Sequence, residues 1–170
     1  GLEQNTLVIF QSDNGAPEGG SNKPFSGWKG GLREGGIRVP MMARWPGRIP
    51  AGRTSNEPGV SADLFPTLAA IGGGQLPSGV RLDGKNILPV LEGKGKSPHD
   101  TLFWGYRGTY AARRDRWKLL QDKAGRSSLF DLEADPAEAN DLAAARPALA
   151  RELAAALDKW KAGLPPPRPS

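Results

Sequence analysis

An aspartate and an asparagine stand side by side at residues 13 and 14, closing the run LVIFQSDNG. Together they offer a carboxylate oxygen and an amide oxygen, the donors that suit a hard divalent cation such as Ca2+. Further on, Lys29 sits among glycines in WKGGLREGGIRVP. A compact ammonium there suits a tetrahedral oxyanion and would stabilise negative charge building on a leaving-group oxygen. Each feature also has a plainer meaning. Asn14-Gly15 spells a tight turn capped by Asp13, and on the dipeptide alone this is the stronger reading. Lys29 can equally be an exposed lysine in a loop, and spacing alone does not overturn that. What shifts the balance for Asp13 and Asn14 is the element in front of them. Leu7 to Phe10, with β-branched Val8 and Ile9 at the centre, reads as a strand buried on both faces of a parallel sheet. A two-residue hairpin would need an antiparallel partner immediately afterwards, and APEGGSNKPFSG is not one. Open α/β sheets bind ligands beyond the carboxyl ends of their strands, which is where Asp13 and Asn14 would lie.

The elements around these residues follow from pattern and punctuation. Residues 15–36 form a glycine-rich loop of functional length. IRVPMMARWPG gives a short extended segment closed by a Pro-Gly turn. VSADLFPTLAAIGGG gives a helix capped by Ser61 or Asp63, with Pro66 in its first turn and Gly72 at its end. A change of composition near LEGKGKSPHD marks a boundary, dividing the chain into residues 1–95 and 96–170. Beyond it, TLFWGYR, TYAARRDRWKLLQD and SSLFDL read as an antiparallel meander with turns at Gly108, Arg114-Asp115 and Ala124-Gly125. A final helix over 146–162 begins with Pro147 in the first turn and is capped by Gly163. Leu149, Leu153, Leu157 and Trp160 share one face of it, suited to lie on the sheet. PPPRPS reads as a frayed tail. The expected fold class is therefore α/β: part of an α/β sheet domain, then a small antiparallel sheet packed by the C-terminal helix.

Composition narrows the function classes. The balance of 23 Lys+Arg against 18 Asp+Glu leaves a charge of +5, but the basic residues are dispersed, with one short cluster at Arg113, Arg114 and Arg116. Nucleic-acid binding wants a basic stripe interleaved with aromatics, so a small anionic substrate is the better use for these cations. With no cysteine, thiolate metal sites and disulfides are excluded. No stretch approaches the roughly 20 apolar residues of a membrane span. The chain has no initiator Met and enters a strand almost at once, as expected of a segment from a longer protein. His99, the sole histidine, lies between Pro98 and Asp100 in a boundary loop and is expected at the surface.

NTLVIFQSDNG, WKGGLREGGIRVPMMARWPGRIPAG and VSADLFPTLAAIGG together resemble the second half of the catalytic domain of the type I sulfatases, within the alkaline phosphatase superfamily. RRDRWKLL, SLFDLEADPAEANDLA and the closing amphipathic helix are similar to that family's C-terminal subdomain. The resemblance implies an alkaline-phosphatase-like sheet for residues 1–95. It also implies that Asp13 and Asn14 are ligands of an active-site calcium ion. Lys29, with Glu34 following at the matching spacing, is implied to contact the substrate sulfate. Glu34, Gly35, Gly36 and Arg38 match the pattern as loop-shaping residues, with Glu34 and Arg38 able to pair across the loop.

Two expected parts are missing from this sequence. The family's nucleophile is a formylglycine made from Cys or Ser in a C/S-x-P-S/A-R motif, and no residue here is in that context. The family's second pair of calcium aspartates is absent as well. The resemblance thus implies a sulfate-ester hydrolase whose N-terminal half supplies the nucleophile, with this chain alone inactive and binding calcium weakly. Exposed strand edges and apolar faces are expected where that half would lie. A non-catalytic module binding sulfated or other polyanionic ligands through Lys29 and the arginines is the alternative of a different class. A phosphodiesterase or phosphonate hydrolase is the alternative within the superfamily. Location outside the cytoplasm, periplasmic or extracellular, is implied by the family alone.

Overall fold

The computed structural model describes residues 1–76 and 78–165, so the tail expected beyond Pro165 lies outside the described residues. The chain forms two compact units, one of residues 1–13 and 40–100, the other of 14–39 and 101–170. The antiparallel sheet packed by a C-terminal helix is as expected. Among the described residues no helix is long and apolar enough to cross a membrane.

In the first unit, β1 (Val8–Gln11) pairs antiparallel with β2 (Met41–Arg44), Phe10 standing opposite Met42. This corrects the expected parallel, doubly buried strand. Val8, Phe10 and Met42 are exposed at 51%, 62% and 60%. The apolar run forms a strand as expected, but among the described residues no element covers the face those three side chains share. After β2 comes α2 (Leu64–Ile71), with Pro66 in its first turn and Gly72 at its C-cap as expected. A single-turn helix, α3 (Leu88–Leu91), completes the unit.

Asp63, one of the two residues expected to cap α2, makes no side-chain cap to it. It is fully buried and gathers three loops instead. Its Oδ2 accepts the Val60 N–H at 2.8 Å, and its Oδ1 accepts the Lys85 N–H at 2.8 Å and meets His99 Nε2 at 2.8 Å. His99 is therefore not a surface residue, its side chain being only 5% exposed. The tendency of loop residues to lie outside yields here to the cost of a buried carboxylate, which must collect polar partners from whatever loops reach it.

In the second unit, β3 (Leu102–Tyr106), β4 (Thr109–Arg114), β5 (Trp117–Gln121) and β6 (Ser127–Asp131) form a meander in sequence order. The turns fall at Arg107-Gly108 as expected, at Asp115-Arg116, one residue later than the sequence implied, and at Lys123-Ala124, one residue earlier. Strand alternation gives the sheet two uses. One face carries the register-aligned Ala112, Leu119 and Leu129, which pack with Leu153 and Leu157 of α4 (Pro147–Ala162), all five fully buried. Phe103 stacks on Trp160 at 5.4 Å between ring centroids. The opposite face carries the aligned set Arg113, Lys118 and Phe130.

Arg116 clamps Asp131 through two parallel bonds, Nε to Oδ1 at 2.8 Å and Nη2 to Oδ2 at 2.5 Å. Those bonds hold the Asp131 carboxyl below its ordinary 3.8, against a smaller opposing push from burial. A depressed carboxyl contributes stability above its ordinary value and loses it as pH falls through the folded-state value. Arg116→Met should therefore lose less stability than the parent as pH falls below 3.8. Denaturant midpoints measured against pH check this, and equal acid slopes for both proteins would contradict it.

Candidate functional site

The segment from Asn14 to Val39 lies in the second unit and carries two of the three expected site residues. It is closed by an asparagine that the sequence did not single out. Asn22 Oδ1 accepts the Ala16 N–H at 2.7 Å, while its Nδ2 donates to Ala16 O at 3.2 Å and Gly27 O at 3.1 Å. Gly15 N–H donates to Gly36 O at 3.1 Å, and Gly35 N–H to Ser26 O at 2.7 Å. Asn14-Gly15 is thus no hairpin turn but one side of a close backbone approach. A Cβ built on Gly15 would lie 1.7 Å from Gly35 O, and one built on Gly35 would lie 2.5 Å from Ser26 O.

Lys29 is exposed, at a turn in which Gly31 N–H donates to Trp28 O at 3.0 Å. Gly30 takes φ +87°, the left-handed value a type II turn asks of its third residue. Lys29 N–H donates to Ala16 O at 3.0 Å, which sets the lysine turn beside the Asn14–Ala16 stretch. The Asn14 side-chain oxygen is buried. Asp13 is exposed and ends the 1–13 segment of the other unit, just past β1, where Ser12 N–H still donates to Pro40 O at 3.3 Å.

Beneath the segment, α1 (Glu34–Ile37) is fastened to the sheet by buried charge. Lys118 Nζ donates to Glu34 Oε1 at 2.7 Å and meets Glu138 Oε1 at 3.0 Å, with all three side chains at most 2% exposed. Glu138 Oε2 accepts the Glu34 N–H at 2.6 Å, and Arg33 Nη1 donates to Glu138 O at 2.6 Å. Arg38 and Arg113 stand 3.7 and 3.9 Å from Glu34 Oε2, so the expected Glu34–Arg38 pairing is present. Burial pushes the Arg113 guanidinium below its usual value, with Glu34 pulling it back up. Lys118 and Glu138 were not foreseen from sequence.

The donor chemistry of Asp13 and Asn14 fits a hard cation, two oxygens and no soft ligand. Their number does not complete a shell, since Ca2+ takes about six to eight oxygens. Among the described residues no group of three or more His, Cys, Asp and Glu could hold a metal ion.

Against known proteins, the sulfatase family model matches residues 1–74. Human arylsulfatase A is 42% identical over 167 residues, covering 90% of this chain. The chain belongs to the sulfatase family. Its fold agrees with the crystal structure of Ps i-CgsB, at 34% identity and a TM-score of 0.83 over 93% of this chain. That protein is also solved in complex with k-i-k-neocarrahexaose. The phosphonate monoester hydrolase of Agrobacterium radiobacter is similar at 29% identity and a TM-score of 0.71, over 94% of this chain and 35% of its own. This sulfatase chain spans 32% of the length of arylsulfatase A and 37% of that of Ps i-CgsB.

Proposed function

We propose that this chain is the C-terminal part of a sulfate-ester hydrolase. Residues 1–95 complete its catalytic α/β domain and 96–170 form its C-terminal subdomain. Calcium, when bound, and a formylglycine in the N-terminal half supply charge neutralisation and the nucleophile. In this reading Asp13 and Asn14 donate oxygens to the cation, and Lys29 binds a sulfate oxygen and stabilises the charge that grows there as the S–O bond breaks. The observation that carries it is the Lys29 N–H bond to Ala16 O, which places the exposed ammonium's turn two residues from the buried Asn14 oxygen. The exposed face of Val8, Phe10 and Met42 supports docking of an N-terminal half, since apolar strand faces of this kind are ordinarily covered.

The full-length protein should hydrolyse an aryl sulfate. Lys29→Ala should lower kcat/KM about 10²- to 10³-fold, as removal of one oxyanion donor does. Chelation of calcium should abolish turnover, while the isolated chain should show none. Hydrolysis of a phosphonate monoester in preference would favour the phosphonate hydrolase alternative, which the likeness to the Agrobacterium radiobacter enzyme keeps in view. Retention of heparin by the isolated chain, lost in Lys29→Ala and Arg38→Ala, would favour the polyanion-binding module.

A further inference from the structure

We propose that Glu138 is a positioning residue for the reaction: its carboxylate, reaching in from the C-terminal half of the chain, fixes the height of α1 and through it the Lys29 turn and Asn14. The inference rests on the sulfatase reading above, which supplies the reaction, and adds to it a residue that acts through the backbone of Glu34.

Glu138 is costly where it stands. Its backbone takes φ 54°, in the left-handed region that glycine enters freely and a glutamate rarely. Its side chain is fully buried. Strain of this kind persists where the surroundings dictate it, and it gathers at sites that have a use. The buried ammonium does not by itself require a second carboxylate, since Lys118 Nζ already meets Glu34 Oε1 at 2.7 Å, one charge to one charge. What Glu138 adds is an acceptor for the Glu34 N–H, at 2.6 Å from its Oε2. Its backbone oxygen takes the Arg33 guanidinium at 2.6 Å, so both ends of the residue hold the 33–34 step.

The Glu34 N–H opens α1, and the site lies directly on α1. Gly36 O accepts the Gly15 N–H at 3.1 Å, one residue from Asn14. A Cβ built on Gly36 would lie 2.3 Å from Gly31 O and 2.6 Å from Trp28 O, and one built on Gly35 would lie 2.4 Å from Gly27 O. The α1 backbone therefore touches the Lys29 turn on both flanks as well as the Asn14 stretch. No side chain lies between to absorb a shift, so a displacement of α1 is passed to both groups.

Two substitutions at Glu138 separate its reach from its charge in the full-length protein. Glu138→Gln removes the charge but keeps an oxygen at the distance that meets the Glu34 N–H. Glu138→Asp keeps the charge, and aspartate tolerates the left-handed backbone, but its carboxylate stops one methylene short. With kcat for an aryl sulfate taken per folded molecule, Glu138→Asp should lose about 10- to 100-fold with KM changed less than about threefold, while Glu138→Gln stays within about threefold of the parent. A purely structural charge lock predicts the reverse order, with Glu138→Gln the less stable and the less active. That order, or equal kcat in the two variants, overturns the inference. If the parent hydrolyses no sulfate ester, the enzymatic reading fails separately. Amide hydrogen exchange at Gly15 and Lys29 in the full-length protein then decides the positioning role: faster exchange in Glu138→Asp than in Glu138→Gln supports it, and equal or reversed rates overturn it.

Discussion

Lys118→Met should cost about 3–5 kcal/mol of stability, the range measured when one partner of a buried ion pair is removed. The lysine side chain is fully buried between Glu34 and Glu138, which are 2% and 0% exposed and come from segments far apart in sequence. Methionine fills a similar volume, so packing changes little. What changes is that two carboxylates face each other without the ammonium that sat 2.7 and 3.0 Å from them. Arg38 and Arg113 cannot substitute, being 3.7 and 3.9 Å from one oxygen of Glu34 and pairing with neither oxygen of Glu138. Urea denaturation checks the loss. Adding Glu34→Gln and Glu138→Gln to Lys118→Met should return much of it, since no uncompensated charge then remains buried. A loss under about 1 kcal/mol, typical of exposed pairs, would mean that water reaches the cluster and that it is not a buried lock.

The C-terminal half was legible because its signals are local. Gly108 and Ala124-Gly125 mark turns, the strands between them alternate, and Leu149, Leu153, Leu157 and Trp160 repeat at helical spacing with Pro147 and Gly163 at the ends. Lys118 sits inside that legible region yet gave no sign of its role. Strand alternation puts it on the face opposite Leu119, but a lysine on such a face ordinarily points to water. Its partner Glu34 lies 84 residues away. His99 was misplaced for the same reason, its carboxylate partner being 36 residues distant. β1 failed differently: its composition is that of a doubly covered strand, and composition states what a strand is suited to, whereas burial depends on what covers it. For the candidate site, residue types were readable from the motifs. The means of assembly, Asn22 and the contact of Gly15 with Gly35, were not, because glycines in a loop do not announce whether they serve a turn or a close approach.

That distinction can be tested, and Gly15→Ala should show the larger effect of two glycine substitutions. The new Cβ would sit 1.7 Å from Gly35 O, 2.8 Å from Gly35 C and 3.2 Å from Asn22 Oδ1, and the first two are backbone atoms with no rotamer to yield. The 14–16 and 34–36 stretches must separate, straining or breaking the Gly15 N–H bond to Gly36 O and the Ala16 N–H bond to Asn22. Overpacking of about 1–3 kcal/mol plus about 1 kcal/mol for each lost bond gives roughly 3–5 kcal/mol. The displaced stretch holds Asn14 beside the Lys29 turn, and a shift of about 1 Å in positioned groups can cost about 10²-fold in rate. Gly19→Ala is the control: Gly19 has φ +90° and nothing within 4 Å of a built Cβ, so it carries backbone strain without collision. It should cost about 1 kcal/mol and leave turnover of the full-length enzyme near the parent's. Hydrogen exchange across residues 14–39 should speed up in Gly15→Ala and stay at the parent rate in Gly19→Ala away from residue 19. Equal costs for the two would show that Gly15 serves only chain flexibility, and that the contact with Gly35 does not hold Asn14 in place.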